Sequence, residues 1–124
     1  VHHVIFLGGA NDILQGRRIE DISRDYKRVL EWCEEKQYSL CVVLPFISTE
    51  QALNRQLLNL RQEAEHICGG KAFLLDLQPA IGMDAGARFK AYVDGIHPKS
   101  QTYEAMGSYA APLIWKWLKN EKEA

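Results

Sequence analysis

Cysteine is scarce in this chain: Cys33, Cys41 and Cys68 are the only three, widely spaced within apolar patterns. An odd, scattered set argues against a disulfide framework and against a thiolate metal site, so the three are read as buried thiols. Such usage leans towards a reducing compartment such as the cytoplasm. Excess charge of either sign is also missing, with 15 Lys and Arg against 16 Asp and Glu. A near-neutral balance gives no broad field to attract nucleic acid or an anionic membrane. No apolar run approaches the roughly 20 residues of a membrane span, and no basic start is followed by an apolar segment and cleavage site. Internal repeats and low-complexity stretches are absent. So is an initiator Met: the chain opens at Val1, inside an apolar run, which reads as the remainder of something longer.

What is present is enough for one domain over residues 1–124, since 124 residues at 47% hydrophobic content can bury a single core. His3 to Leu7 is short, β-branched and aromatic, and Gly8-Gly9 stops it; it reads as a buried strand. Ile19, Ile22, Tyr26, Val29, Leu30 and Cys33 then recur at helical spacing among charged residues, predicting an amphipathic helix that ends near Lys36. Leu40 to Leu44 is a second apolar run, closed by Pro45, and predicts a second strand. Ser48-Thr49-Glu50-Gln51 has the form of a capping box, with Ser48 as the cap. The helix it opens carries Leu53, Leu57, Leu60, Ala64 and Ile67 on one face and stops at Gly69-Gly70. Ala72 to Leu77 predicts a third strand. Gln78 to Val93 holds Pro79, Gly82 and Gly86, too many breakers for one element. A last helix starts near Ser100, carries Tyr103, Met106, Ala110, Leu113, Ile114 and Trp117, and frays into a charged tail.

Strands alternating with helices predict an α/β fold with a parallel sheet and helices on its faces, because parallel neighbours need a crossover. Ligands in such sheets bind beyond the carboxyl ends of the strands. The loops that follow the three strands all fall there.

Two clusters on that rim could carry chemistry. In Gly8-Gly9-Ala10-Asn11-Asp12, two glycines let the backbone turn tightly and let another group approach. The Asn11 amide could then donate to a developing oxyanion. Asp12 reads as structural, holding the loop through backbone hydrogen bonds. In Asp94-Gly95-Ile96-His97-Pro98, a carboxylate three residues from an imidazole could orient it as a general base. Gly, Asn and Asp are also ordinary turn formers, and an Asp and a His are common in exposed loops, so plain turns are the competing reading. Two ligands without a third make a metal site weak, and none is assigned. His2 and His3 alternate across a strand and cannot face one site. His66, late in a helix, is given no chemistry.

The two clusters, in this order and separated by two strand and helix units, resemble the SGNH (GDSL-type) esterase and lipase family. Gly9-Ala10-Asn11-Asp12 matches its Gly-x-Asn-Asp block and Asp94-Gly95-Ile96-His97 its Asp-x-x-His block. The likeness covers essentially the whole chain. It implies a flavodoxin-like three-layer sandwich whose first strands are missing here, with Asn11 as an oxyanion-hole donor, His97 as base and Asp94 orienting His97. It implies a serine esterase acting on small carboxylic esters or acetylated compounds through an acyl-enzyme, without a cofactor. The family's Gly-Asp-Ser block, which bears the nucleophile, does not occur in this chain. Ser23, Ser39, Ser48, Ser100 and Ser108 sit in predicted elements and do not replace it, so the chain alone is expected to be inactive. An acyltransferase on the same scaffold, or a non-catalytic module that keeps the fold to bind a ligand or partner, are the alternatives. In the flavodoxin-like strand order, His3 to Leu7 would be the third strand, and its inner neighbour would be absent. The strand is therefore expected to pair with a missing N-terminal segment or a second chain.

Overall fold

A computed structural model describes residues 2–123, with side chains through Asn120, so Val1 lies outside the described residues. Three strands, β1 (His3–Leu7), β2 (Ser39–Val43) and β3 (Phe73–Leu75), form a parallel sheet in the order β1-β2-β3. Ile5 stands opposite Cys41, and Cys41 opposite Phe73. The helices are α1 (Ala10–Leu14), α2 (Ile19–Lys36), α3 (Gln51–Cys68), α4 (Gln78–Ile81), α5 (Ala85–Ala91) and α6 (Ser100–Glu123). The α/β class and its parallel sheet are as expected from the sequence.

Period-two alternation sorts the strand side chains into two cores. Leu40, Val42 and Leu44 pack with Val4 and Phe6 against α2 and α3, where Tyr26, Leu30, Leu57, Leu60 and Ala64 are buried. Cys41 and Val43 face the other way, into a cluster with Leu75, Leu77, Ile81, Tyr92 and Trp117. Helices thus cover both sheet faces. Burial in these clusters raises the pKa of all three thiols, and Cys41 is pushed up to about 11.

Cover is incomplete over β1. Val4 and Phe6 are packed, but Ile5 is 51% and Leu7 63% exposed. Their register partners Cys41 and Val43 belong to the α6-side core, so Ile5 and Leu7 extend that face beyond the helices that cover it. Among the described residues, β1 pairs with β2 alone.

Several elements differ in detail from expectation. α3 begins at Gln51 with Glu50 at its cap and no side-chain capping bond. Ser48 instead accepts the Glu50 N–H at 3.1 Å, an ST-type turn that settles the hydroxyl before the helix begins. β3 covers only Phe73–Leu75, because Asp76 leaves the ladder to meet Arg61 on α3. The breaker-rich segment contains two short helices, α4 with Pro79 in its first turn and α5 capped by Asp84, whose Oδ1 accepts the Ala87 N–H at 2.8 Å. The turn after β1 continues into the one-and-a-half-turn helix α1.

Candidate active site

The first cluster leaves the carboxyl end of β1 through Gly8 and Gly9. Gly9 has φ 116°, and a Cβ there would lie 2.4 Å from Leu60 Cδ2, so the turn is pressed onto α3 and admits no side chain. Tyr26 Oη on α2 donates to the Gly8 carbonyl at 3.1 Å. Asp12 reaches back to accept the Gly9 N–H at 3.2 Å, and its other oxygen accepts from Arg17 at 2.9 Å. Arg17 also bonds Asp25 at 2.7 Å, which ties the turn to α2. Asn11 rides on the first turn of α1, exposed, its side chain making no hydrogen bond among the described residues. Its amide is therefore free to meet a ligand.

The second cluster is a tight turn between α5 and α6. Asp94 Oδ1 accepts the N–H groups of Ile96 at 2.9 Å and His97 at 2.7 Å, while Oδ2 lies 2.8 Å from His97 Nδ1. These donors, led by the His97 amide and followed by its ring and the Ile96 amide, hold the Asp94 carboxyl well below the usual carboxylate range. A carboxylate facing Nδ1 selects the tautomer with the proton there and leaves Nε2 as an acceptor. Val93 N–H donates to the His97 carbonyl at 2.8 Å and Lys99 N–H to Ala91 at 2.9 Å, closing the turn. Thr102 Oγ1 donates to that same Ala91 carbonyl at 2.7 Å, joining α6 to it.

The loop after β2 holds this turn at the strand ends. Tyr92 Oη donates to Ile47 O at 2.9 Å, Arg88 Nε to Ser48 O at 3.1 Å, and Thr49 to Gly95 O. The turn carrying Asp94 and His97 and the turn carrying Asn11 thus lie at the carboxyl ends of two adjacent parallel strands. Beside the former opens a cleft of about 420 Å³ with apolar walls from Phe89 and Val93 and charged ones from Glu50 and Lys99.

Of the expected residues, Asp94 and His97 are in direct contact and Gly9 and Asp12 are joined by a hydrogen bond. Asn11 makes no side-chain hydrogen bond to either pair among the described residues. Ser48 is 3% exposed and donates to Asn54 Oδ1 at 3.2 Å, so a buried and occupied hydroxyl stands where the rim has its one serine. His2 stacks edge-on against Tyr38 and His3 against Trp117, on opposite faces of the sheet. Thr49, Arg88 and Tyr92 were not singled out from the sequence. Each acts through a contact some 40 residues away along the chain, which no local pattern encodes.

The model of the GDSL-like lipase/acylhydrolase family matches residues 1–105. Among solved structures, the chain is similar to a Streptococcus pneumonia protein provisionally described as a platelet activating factor, with a TM-score of 0.77 and 16% identity. It is also similar to a provisionally assigned lipolytic protein of the G-D-S-L family from Desulfitobacterium hafniense DCB-2, with a TM-score of 0.74 and 20% identity. At these identities the likeness is one of fold. The matches cover 92% and 89% of this chain but only 60% and 63% of those proteins, so it spans less than two thirds of either. No curated protein sequence matches it.

Proposed function

This chain belongs to the GDSL-like lipase/acylhydrolase family, and from that premise we propose that it is the base-bearing part of a serine ester hydrolase. The observation that carries the reading is the 2.8 Å contact between Asp94 Oδ2 and His97 Nδ1, with Asp94 Oδ1 fixed by two backbone amides. A ring oriented in this way presents Nε2 to a nucleophile. His97 takes the proton of a serine hydroxyl as that oxygen attacks an ester carbonyl, then gives it to the departing alkoxide. Asp94 keeps the tautomer and stabilises the imidazolium formed in between. Asn11 donates its free amide to the oxyanion, on a turn held by Gly9 and Asp12. Water releases the acid in a second round. Substrates are small carboxylic esters or acetylated compounds, and the acyl-enzyme route needs no cofactor.

The serine comes from a segment outside these 124 residues. The outer edge of β1 is where that segment docks: its backbone groups have no strand partner among the described residues, and Ile5 and Leu7 lie bare beside it. The strand His-Val-Ile-Phe-Leu has no lysine or proline to protect an edge. A parallel strand there, from an N-terminal segment or a second chain, would bring its own carboxyl end to the same rim.

The test is hydrolysis of 4-nitrophenyl acetate by the full-length protein, with a fluorophosphonate probe to label the serine. His97→Ala should lower turnover by at least about 10³-fold. Asn11→Ala should lower it by about 10²-fold. A full-length protein that neither hydrolyses a series of aryl and alkyl esters nor takes the probe overturns the reading.

A further inference from the structure

We propose that Thr49 is a positioning residue for the Asp94–His97 pair, setting the place of their turn by clamping the carbonyl of Gly95 between them. The inference rests on the reading of His97 as general base. Thr49 donates twice to that one oxygen, from its backbone N–H and from Oγ1, each at 3.2 Å. A carbonyl has two lone pairs, and here both are met by a single residue.

The contact needs Gly95 to be glycine. Its φ is +85°, and a Cβ there would lie 2.7 Å from Thr49 Oγ1 and 3.1 Å from Glu50 Oε1. A methyl group there would press on the Thr49 hydroxyl that makes the bond, and the left-handed φ would strain it besides. The bonds within the turn, from Asp94 to the Ile96 and His97 amides, fix its internal shape. They do not fix where it stands over the sheet. Bonds to the loop after β2 do, and of these the ones from Thr49 are made to the turn itself, while Tyr92 and Arg88 hold the segment before it. Asn54 accepts the Ser48 N–H at 2.7 Å and donates to the Ser48 carbonyl at 2.8 Å, and Arg88 donates to that carbonyl as well. α3 thus supports the loop, and the loop supports the turn. Displacing a base by about 1 Å from its nucleophile can cost about 10²-fold in rate, so a clamp at this point acts on turnover more than on binding.

The experiment compares Thr49→Val, which keeps the shape and loses the hydroxyl, with Thr49→Ser, which keeps it, in the full-length protein. For Thr49→Val, kcat on 4-nitrophenyl acetate should fall about 10-fold with KM within about twofold, and Thr49→Ser should recover most of it. Gly95→Ala should reproduce the kcat loss from the other side of the contact. Amide hydrogen exchange at Ile96 and His97 should accelerate in Thr49→Val and return to wild-type rates in Thr49→Ser. That second readout does not depend on catalysis: in a protein with no esterase activity it alone decides, and acceleration reversed by serine supports the clamp. Unchanged exchange, or unchanged kcat in an active enzyme, overturns the proposal.

Discussion

Asp94 holds His97 at two points, its Oδ1 taking the histidine's backbone N–H at 2.7 Å and its Oδ2 facing the ring Nδ1 at 2.8 Å. One carboxylate thereby fixes both where the residue starts and which way its ring turns. Asp94→Asn preserves size and can still accept from the amides, but its NH₂ would face Nδ1 and select the tautomer with the proton on Nε2. In the full-length protein, kcat should fall by about 10⁴-fold, as for the analogous change in a serine protease triad, with KM nearly unchanged. Steady-state kinetics on an aryl ester measure both. Because its donors hold the Asp94 carboxyl below the usual range, its contribution is present above that depressed pKa and lost only as pH falls through it. Activity should therefore lose nothing to Asp94 protonation down to about pH 4, where ordinary carboxylates begin to titrate.

Arg61 meets Asp76 with two parallel bonds, Nη1 to Oδ1 at 3.0 Å and Nη2 to Oδ2 at 2.7 Å, joining α3 to the end of β3. The Arg61 bond, and after it the Gln78 N–H at 3.0 Å, lowers the Asp76 pKa. Asp76 is still 37% exposed, so solvent screens the pair, and Asp76→Asn should cost only about 1 kcal/mol. The sign follows from the depressed pKa: the stabilisation is whole above the unfolded value of about 4 and fades as pH falls through the folded one. Urea unfolding should show the full difference between variant and wild type at neutral pH. Below about pH 4 the two curves should converge. A difference that grows in acid would mean that the pair does not stabilise the fold.

Two glycines at positive φ should respond differently to one methyl group. Gly9 (φ +116°) would place a Cβ 2.4 Å from Leu60 Cδ2, whereas Gly16 (φ +84°) has open space around it. Gly16→Ala meets only the left-handed backbone penalty, about 1–2 kcal/mol. Gly9→Ala adds overpacking against Leu60, which is fully buried, and should cost about 3 kcal/mol or more. Chemical denaturation of the two variants gives the comparison directly. Equal losses would show that the turn can back away from α3.

How legible the fold and site were depended on the range of each interaction. α2 was readable because Ile22, Tyr26, Leu30 and Cys33 repeat at helical spacing and are its buried residues other than Ser23. The contact between Asp94 and His97 spans three residues, so spacing alone suggested it. β3 was read too long because Leu77 continues the apolar run. The pull of Arg61 on Asp76, fifteen residues away, is what ends the strand. Ser48 looked like a helix cap because Gln51 stands in the right register. Asn54, six residues on, takes the Ser48 N–H and hydroxyl instead, and the helix starts without a side-chain cap. Thr49 was invisible as a support of the turn because its partner Gly95 lies 46 residues away.

The bare half of β1 yields the last prediction. Ile5 and Leu7 are apolar, 51% and 63% exposed, and in register with two buried residues of the α6-side core. A β-branched or leucine side chain gains about 1.5–3 kcal/mol on full burial, so an occupant of that face would draw much of its binding from these two. Ile5→Thr keeps the strand propensity and removes most of the apolar surface, and Leu7→Thr does the same two positions on. If another segment covers the face in the full-length protein, each substitution should cost about 1.5 kcal/mol or more there. In the 124-residue chain by itself the same substitutions should cost within about 0.5 kcal/mol, as at an exposed surface. Where a second chain is the occupant, the cost should depend on protein concentration, because association then contributes to the measured stability. Losses that stay within about 0.5 kcal/mol in the full-length protein at every concentration would mean that β1 is a true outer edge. The serine would then have to reach His97 by some route other than a strand laid against Ile5 and Leu7.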